Sequence, residues 1–163
     1  MAVTPNPAAT ALAWTNYTAV ATSSRPPLNA YTYVAIGVPT PTIVRGSTLR
    51  VSQVTVPISV DRGRSWFVSS RQTDALLRHE RLHYRIGILV ARELDARLLG
   101  VTAASQSALR TALQSAIDDA GPRMQSIFES YDRDTNHALV VPQQAAWEMR
   151  VTSWEQAGRI TFP

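Results

Sequence analysis

From Ser69 to Leu99 no proline interrupts a helical pattern that a Ser69/Gln72 capping box can open and Gly100 can close. One helix of that length runs on the order of 45 Å at 1.5 Å per residue, more than a small domain needs, so it is expected to organise the fold. At about 100° per residue, Leu76, His79, His83, Ile86, Val90 and Leu94 share one sector, with Gly87 on its flank, where another backbone can come close. Arg78, Arg81, Arg85 and Arg92 form a stripe roughly opposite, with Asp74 and Asp95 near the same side, and Glu80 falls near the border of the apolar sector.

Around this helix the chain reads as strands first and helices after, an α+β order. Residues 1–29 are rich in Ala, Thr, Pro and Asn and are expected to be extended or partly ordered, ahead of a domain spanning residues 30–163. Tyr31 to Val38 and Thr48 to Val60 read as antiparallel strands, with Val54, Val56, Ile58 and Val60 alternating with polar neighbours. Pro57 favours an edge position or a bulge for the second strand. Asp61-Arg62-Gly63 reads as a turn, and Ser65 to Val68 as a short strand. Beyond the long helix, a second is expected from Ser105 to Ala120, stopping at Gly121-Pro122, and a third from Arg123 to Tyr131. Asp132 to Val141 reads as a loop, and Pro142 opens a last helix that carries Trp147 and Trp154 and fades by Gly158.

Composition removes several chemistries. There is no cysteine, so disulfides, thiolate zinc sites and cysteine nucleophiles are excluded, and all sixteen basic residues are Arg, which excludes a lysine nucleophile. Hydrophobic residues at 45% against charged residues at 17% predict a folded chain. No apolar run is long enough to span a bilayer, and no intact signal peptide is expected.

His79-Glu80-Arg81-Leu82-His83 is an HExxH match. Residues four apart lie on one helical face, so two imidazoles can take adjacent corners of a Zn²⁺ tetrahedron while the intervening Glu80 serves as general base toward the attacking water. Both histidines fall on the apolar face, where further ligands can reach them. Metzincin spacing would require histidine at position 89, which is Leu. His137, the remaining histidine, is the preferred third ligand over the carboxylates Glu129, Asp132, Asp134 and Glu93.

The segment Leu76 to Tyr84, the following Ala91-Arg92, and the later Tyr131-Asp132-x-x-Thr135-Asn136-His137 with Gln143 and Trp147 resemble the bacterial predicted secreted zinc-dependent proteases, a domain-of-unknown-function family numbered 922. The resemblance covers roughly residues 30 to 155. It implies a small zincin-like metallopeptidase domain, a secreted or periplasmic setting, and peptide or protein substrates. Members of that family commonly have Gly after the last His, where this chain has Ala138.

A zincin mechanism needs a second electrophile at the oxyanion, and Tyr131 is preferred over Tyr84 as its donor. Asp132 or Asp134 is expected to orient an imidazole. The edge of the Val51 to Val60 strand is expected to pair with an extended peptide, with Trp66 and Phe67 either lining that cleft or packing in the core. A narrow rival keeps hydrolysis but changes the amide, for example to a cell-wall cross-link, and two broader rival readings stand beside the peptidase. One is a non-catalytic zinc-stabilised interaction domain, which would have no need of Glu80. The other is a nucleic-acid-binding module, suggested by the net charge of +4 and the arginine stripe. It is disfavoured because the other arginines are scattered and no aromatic-interleaved basic cluster accompanies them.

Overall fold

The computed structural model describes residues 2–6 and 12–161. In chain order the elements are β1 (Ala2–Asn6), β2 (Thr18–Val20), β3 (Ala30–Tyr31), β4 (Val34–Ile36), β5 (Thr40–Arg45), β6 (Leu49–Val60), β7 (Trp66–Val68), α1 (Asp74–Leu98), β8 (Thr102–Ala103), α2 (Gln106–Thr135) and α3 (Val141–Ala157). The α+β order expected from the sequence is present, as strands in two sheets followed by three helices. The pairing is mixed, because β1 runs parallel to β6 and β2 parallel to β7, while the other pairs are antiparallel.

The twelve-residue β6 is the hub of the larger sheet, with β1, β4, β5 and β8 all pairing to it. Its buried residues are Val51, Val54, Val56 and Ile58. The step from Val51 to Val54 breaks the period of two because the register to β5 shifts between Thr42 and Ile43, leaving Ser52 as the extra residue of a bulge. Pro57, expected at an edge or a bulge, lies in this central strand, opposite an interruption of the ladder. The reason is visible in the ladder: β4 ends at Ile36 opposite Ile58 and β5 starts at Thr40 opposite Thr55, so the interruption between them falls where proline has no N–H to give. Gly37 bridges the gap by donating its N–H to the Pro57 carbonyl at 2.8 Å. A Cβ at Gly37 would come within 3.1 Å of Pro57 Cβ.

The smaller sheet has the order β2-β7-β3. Leu12 and Tyr17, ahead of β2, are buried, and Trp14 packs on Phe67 with ring centroids 4.6 Å apart, so residues before 30 help build the core.

The long helix starts later than the sequence suggests. Thr73 Oγ1 accepts from the Leu76 N–H at 3.1 Å and caps α1, whereas Ser69 to Arg71 form a 3-10 turn in which Ser69 Oγ donates to the Val20 carbonyl. The helix has 25 residues, about 37 Å of rise. It is buried around most of its girth, between the sheet residues of β6, β4 and β1 on one side and α2 and α3 on the other. The arginine stripe is therefore not a free face. Arg85 donates to Glu155 and Thr152 on α3, and Arg81 donates to the Leu12 carbonyl at 2.6 Å, leaving Arg78 and Arg92 exposed. Gly87 forms a notch: a Cβ there would meet Val34 Cγ1 at 2.6 Å and Ile58 Cδ1 at 3.2 Å, so side chains of β4 and β6, rather than a backbone, seat against α1.

The expected break at Gly121-Pro122 does not occur, and α2 runs for 30 residues through the proline. An interior proline costs roughly 3 kcal/mol. Both Pro122 and Asp118, whose carbonyl loses its partner, face solvent, while Ala116, Ala120 and Ile127 pack in the core and Arg123 pairs with Glu93 of α1 at 2.7 Å. Packing on both sides outweighs the local preference. The helix also continues to Thr135, past Tyr131 where the sequence suggests an end, so Asp132 lies on the last turn of α2, not in a loop. Pro142 opens α3 as expected, and Gly158 closes it in the left-handed region with φ +66°. No helix among the described residues is long and apolar enough to cross a membrane.

Candidate metal centre

The HExxH segment lies in the buried middle of the fold, with His79, Glu80 and His83 exposed by only 1%, 3% and 6%. The last turn of α2 meets it. Asp132 Oδ1 is 3.0 Å from His79 Nε2 and 3.0 Å from His83 Nε2, and the two Nε2 atoms are 3.3 Å apart. His137 Nδ1 lies 3.5 Å from the same carboxylate oxygen. His79, Asp132 and His137 form a group able to hold a metal ion.

The end of α2 explains how Asp132 and His137 come together. Thr135 Oγ1 donates to the Tyr131 carbonyl, and Asn136, His137 and Ala138 then adopt φ of 45°, 53° and 75°. Three consecutive left-handed residues fold the chain back, and the His137 N–H donates to the Asp132 carbonyl at 3.2 Å. Ala138 thus occupies a conformation glycine adopts more readily, at the position where the resemblance puts glycine.

Behind the histidines stands a supporting layer. His79 Nδ1 is 3.2 Å from Gln144 Oε1, and Gln144 Nε2 donates to Glu148 Oε1, which fixes the amide so that oxygen faces the ring. The proton of His79 therefore belongs on Nδ1, and Nε2 presents a lone pair toward the Asp132 carboxylate. Two acceptors facing each other at 3.0 Å call for a cation between them. Zinc fits on chemistry and spacing. Tetrahedral ligands at about 2.0–2.1 Å from the ion are about 3.3 Å from one another, close to the separations found here.

Glu80 borders a cavity of about 190 Å³ beside the donors. One wall is the stretch 28–34, and the other carries Met124 and Phe128 of α2. Thr32 Oγ1 donates to Glu80 Oε2 at 2.5 Å. Burial pushes the Glu80 carboxyl up, and against the lowering effects of His79 and Thr32 it still stands at about 7.

The expected ligands His79, His83 and His137 all reach the Asp132 carboxylate. Asp132, weighed among the competing ligands, is in their midst, whereas Asp134 accepts from Trp147 Nε1, Glu129 from Gln125 and Glu93 from Arg123. Tyr131, expected at the oxyanion, is completely buried. Its ring stacks on His79 at 4.4 Å, and its hydroxyl donates to Gln144 Oε1 at 2.7 Å, with a second contact to the His79 carbonyl, so it backs the His79 ring and does not line the cavity. Tyr84 is also buried and outside the cavity lining. The β6 edge expected to receive a peptide is occupied by strands on both sides, and Trp66 and Phe67 do not line the cavity. Gln144 and Thr32 escaped the sequence reading. Gln144 neighbours the exposed Gln143 that the resemblance marks, and Thr32 belongs to no motif.

Residues 47–138 match a family model described as "Bacterial protein of unknown function (DUF922)". No curated protein and no solved structure matches the chain.

Proposed function

The chain belongs to this bacterial family of unknown function, and we propose that it is a zinc-dependent hydrolase of the HExxH type that cleaves amide bonds of peptides or proteins, exported to a secreted or periplasmic setting. The observation that carries the reading is the convergence of His79 Nε2, His83 Nε2 and Asp132 Oδ1 to within 3.0–3.3 Å of one another. His79, His83 and His137 are the proposed imidazole ligands and the Asp132 carboxylate lies in their midst; catalysis requires that one of the four donors give up its coordination position to water. Zn²⁺ bound there supplies a Lewis acid that polarises a carbonyl and acidifies water. Glu80 takes the proton of the attacking water and passes it to the leaving nitrogen as the C–N bond breaks. A carboxyl at about 7 is suited to both halves of that transfer near neutral pH. Gln144 and Tyr131 keep the His79 ring in register behind the donors.

Metal analysis paired with hydrolysis of a generic peptide substrate tests the reading. Wild type is expected to carry about one zinc per chain, and Glu80→Gln to keep its zinc while hydrolysis falls about 10²–10⁴-fold. Full activity in that variant refutes the base assignment.

The position of Asp132 also favours a second reading. Four protein donors close a tetrahedral site, as in structural zinc centres. A metal-stabilised interaction domain of that kind binds zinc, hydrolyses nothing, and is indifferent to Glu80→Gln. The placement of Glu80 on the cavity favours the hydrolase.

A further inference from the structure

The strand wall of the cavity contributes a chain of hydroxyls to the site. Thr32, between β3 and β4, spends its hydroxyl proton on Glu80 Oε2, 48 residues away in sequence. The Tyr17 hydroxyl lies 2.9 Å from the same Thr32 Oγ1. A threonine hydroxyl has one proton to give, so the phenol is the donor in the second bond and the chain runs one way, from Tyr17 to Thr32 to Glu80. All three residues are buried. Bonds in such a chain polarise one another, and each group left unmet in that setting is costly. The donors are also neutral. Arg81, the residue after Glu80, turns its Nε to the Leu12 carbonyl, and the side chain that bonds the carboxylate is the Thr32 hydroxyl.

We propose that Thr32 and Tyr17 are positioning residues for Glu80, tying Oε2 to the strand wall so that the carboxylate presents one orientation to the cavity. The catalytic consequence rests on the hydrolase reading above; the pairing itself does not. A base held at one angle delivers its proton along one path, and misplacement on the scale of an ångström costs about 10²-fold in rate.

The experiment uses the zinc-loaded full chain and a generic peptide substrate. Thr32→Val, isosteric but without a hydroxyl, is expected to lower kcat about 10²-fold with KM and zinc content little changed. Thr32→Ser is expected to restore most of the rate, and Tyr17→Phe to lose less than Thr32→Val. Unchanged kcat in folded, zinc-loaded Thr32→Val overturns the proposal, since a purely structural threonine affects stability and not turnover per folded molecule. Thermal unfolding of Thr32→Val, Glu80→Leu, which has no acceptor for the hydroxyl, and the double variant supplies a readout independent of turnover. The loss of Tm caused by Thr32→Val is expected to be about 3–6 °C smaller in the Glu80→Leu background. Strictly additive shifts overturn the pairing. If wild type hydrolyses no amide, the hydrolase reading fails while this cycle still decides whether Thr32 holds Glu80.

Discussion

The helical wall of the cavity and its strand wall meet at Glu80, and they reach it by different routes. On the helical side the donors are arranged by spacing within single elements: His79 and His83 one turn apart on α1, and Asp132 with His137 at the end of α2, where a left-handed turn brings the second back beside the first. On the strand side Thr32 is placed by contacts between elements. β3 pairs with β7, the Tyr33 N–H donates to Ser65 Oγ, and Val34 seats in the notch at Gly87. The proposed metal donors depend here on local geometry, and the orientation of the proposed base depends on tertiary packing. The two properties should therefore fail separately.

Substitutions on each side can break that separation. The largest effect on metal binding is expected at Asp132. Asp132→Asn keeps the shape and removes the charge, and zinc affinity measured by chelator competition should drop about 100-fold or more. Unaltered affinity would remove Asp132 from the donor set. Gln144→Leu, which frees His79 Nδ1, should weaken zinc by about 10-fold in the same assay. On the strand side, Gly87→Ala should leave zinc binding intact while lowering stability by about 1–2 kcal/mol, because overpacking against Val34 and Ile58 exceeds the gain in helix propensity. A denaturant midpoint that rises in that variant would mean that β4 yields easily. The smallest effect is expected at the turn, where Ala138→Gly should raise stability by about 0.5–1 kcal/mol through relief of a left-handed alanine, partly offset by the freer unfolded chain.

The same division separates what the sequence reveals from what it hides. The HExxH face and the C-terminal end of α1 are legible because contacts repeat every three to four residues within one helix, whereas its start reads as Ser69, ahead of the Thr73 cap. The tryptophan-bearing last helix is legible from Pro142 and Gly158 for similar local reasons. Pro122 misleads because the local cost of an interior proline is met by packing against α1, which involves residues 30 positions away, such as Glu93 with Arg123. Asp132 is read as a loop residue for a different reason: the helix runs four residues past Tyr131, and its last turn is held by Thr135 Oγ1 on the Tyr131 carbonyl, a contact with no sequence motif. Pro57 misleads likewise, since the gap that accommodates it belongs to the β4–β5 side of the ladder. Thr32 and Tyr17 carry no signal at all: a threonine between two short strands and a tyrosine in a proline-rich leading segment acquire meaning only when the smaller sheet sets them against α1.

The span over which the family is recognised, residues 47–138, holds His79, Glu80, His83, Asp132 and His137 but leaves out Tyr17 and Thr32 on one side and Gln144 on the other. It also omits β4, which fills the notch at Gly87, and the whole of α3, whose Trp147 and Trp154 are buried in the core. The recognisable stretch is thus not an autonomous module. A fragment cut to those limits would keep the letters of the site and lose the scaffolding that aims them.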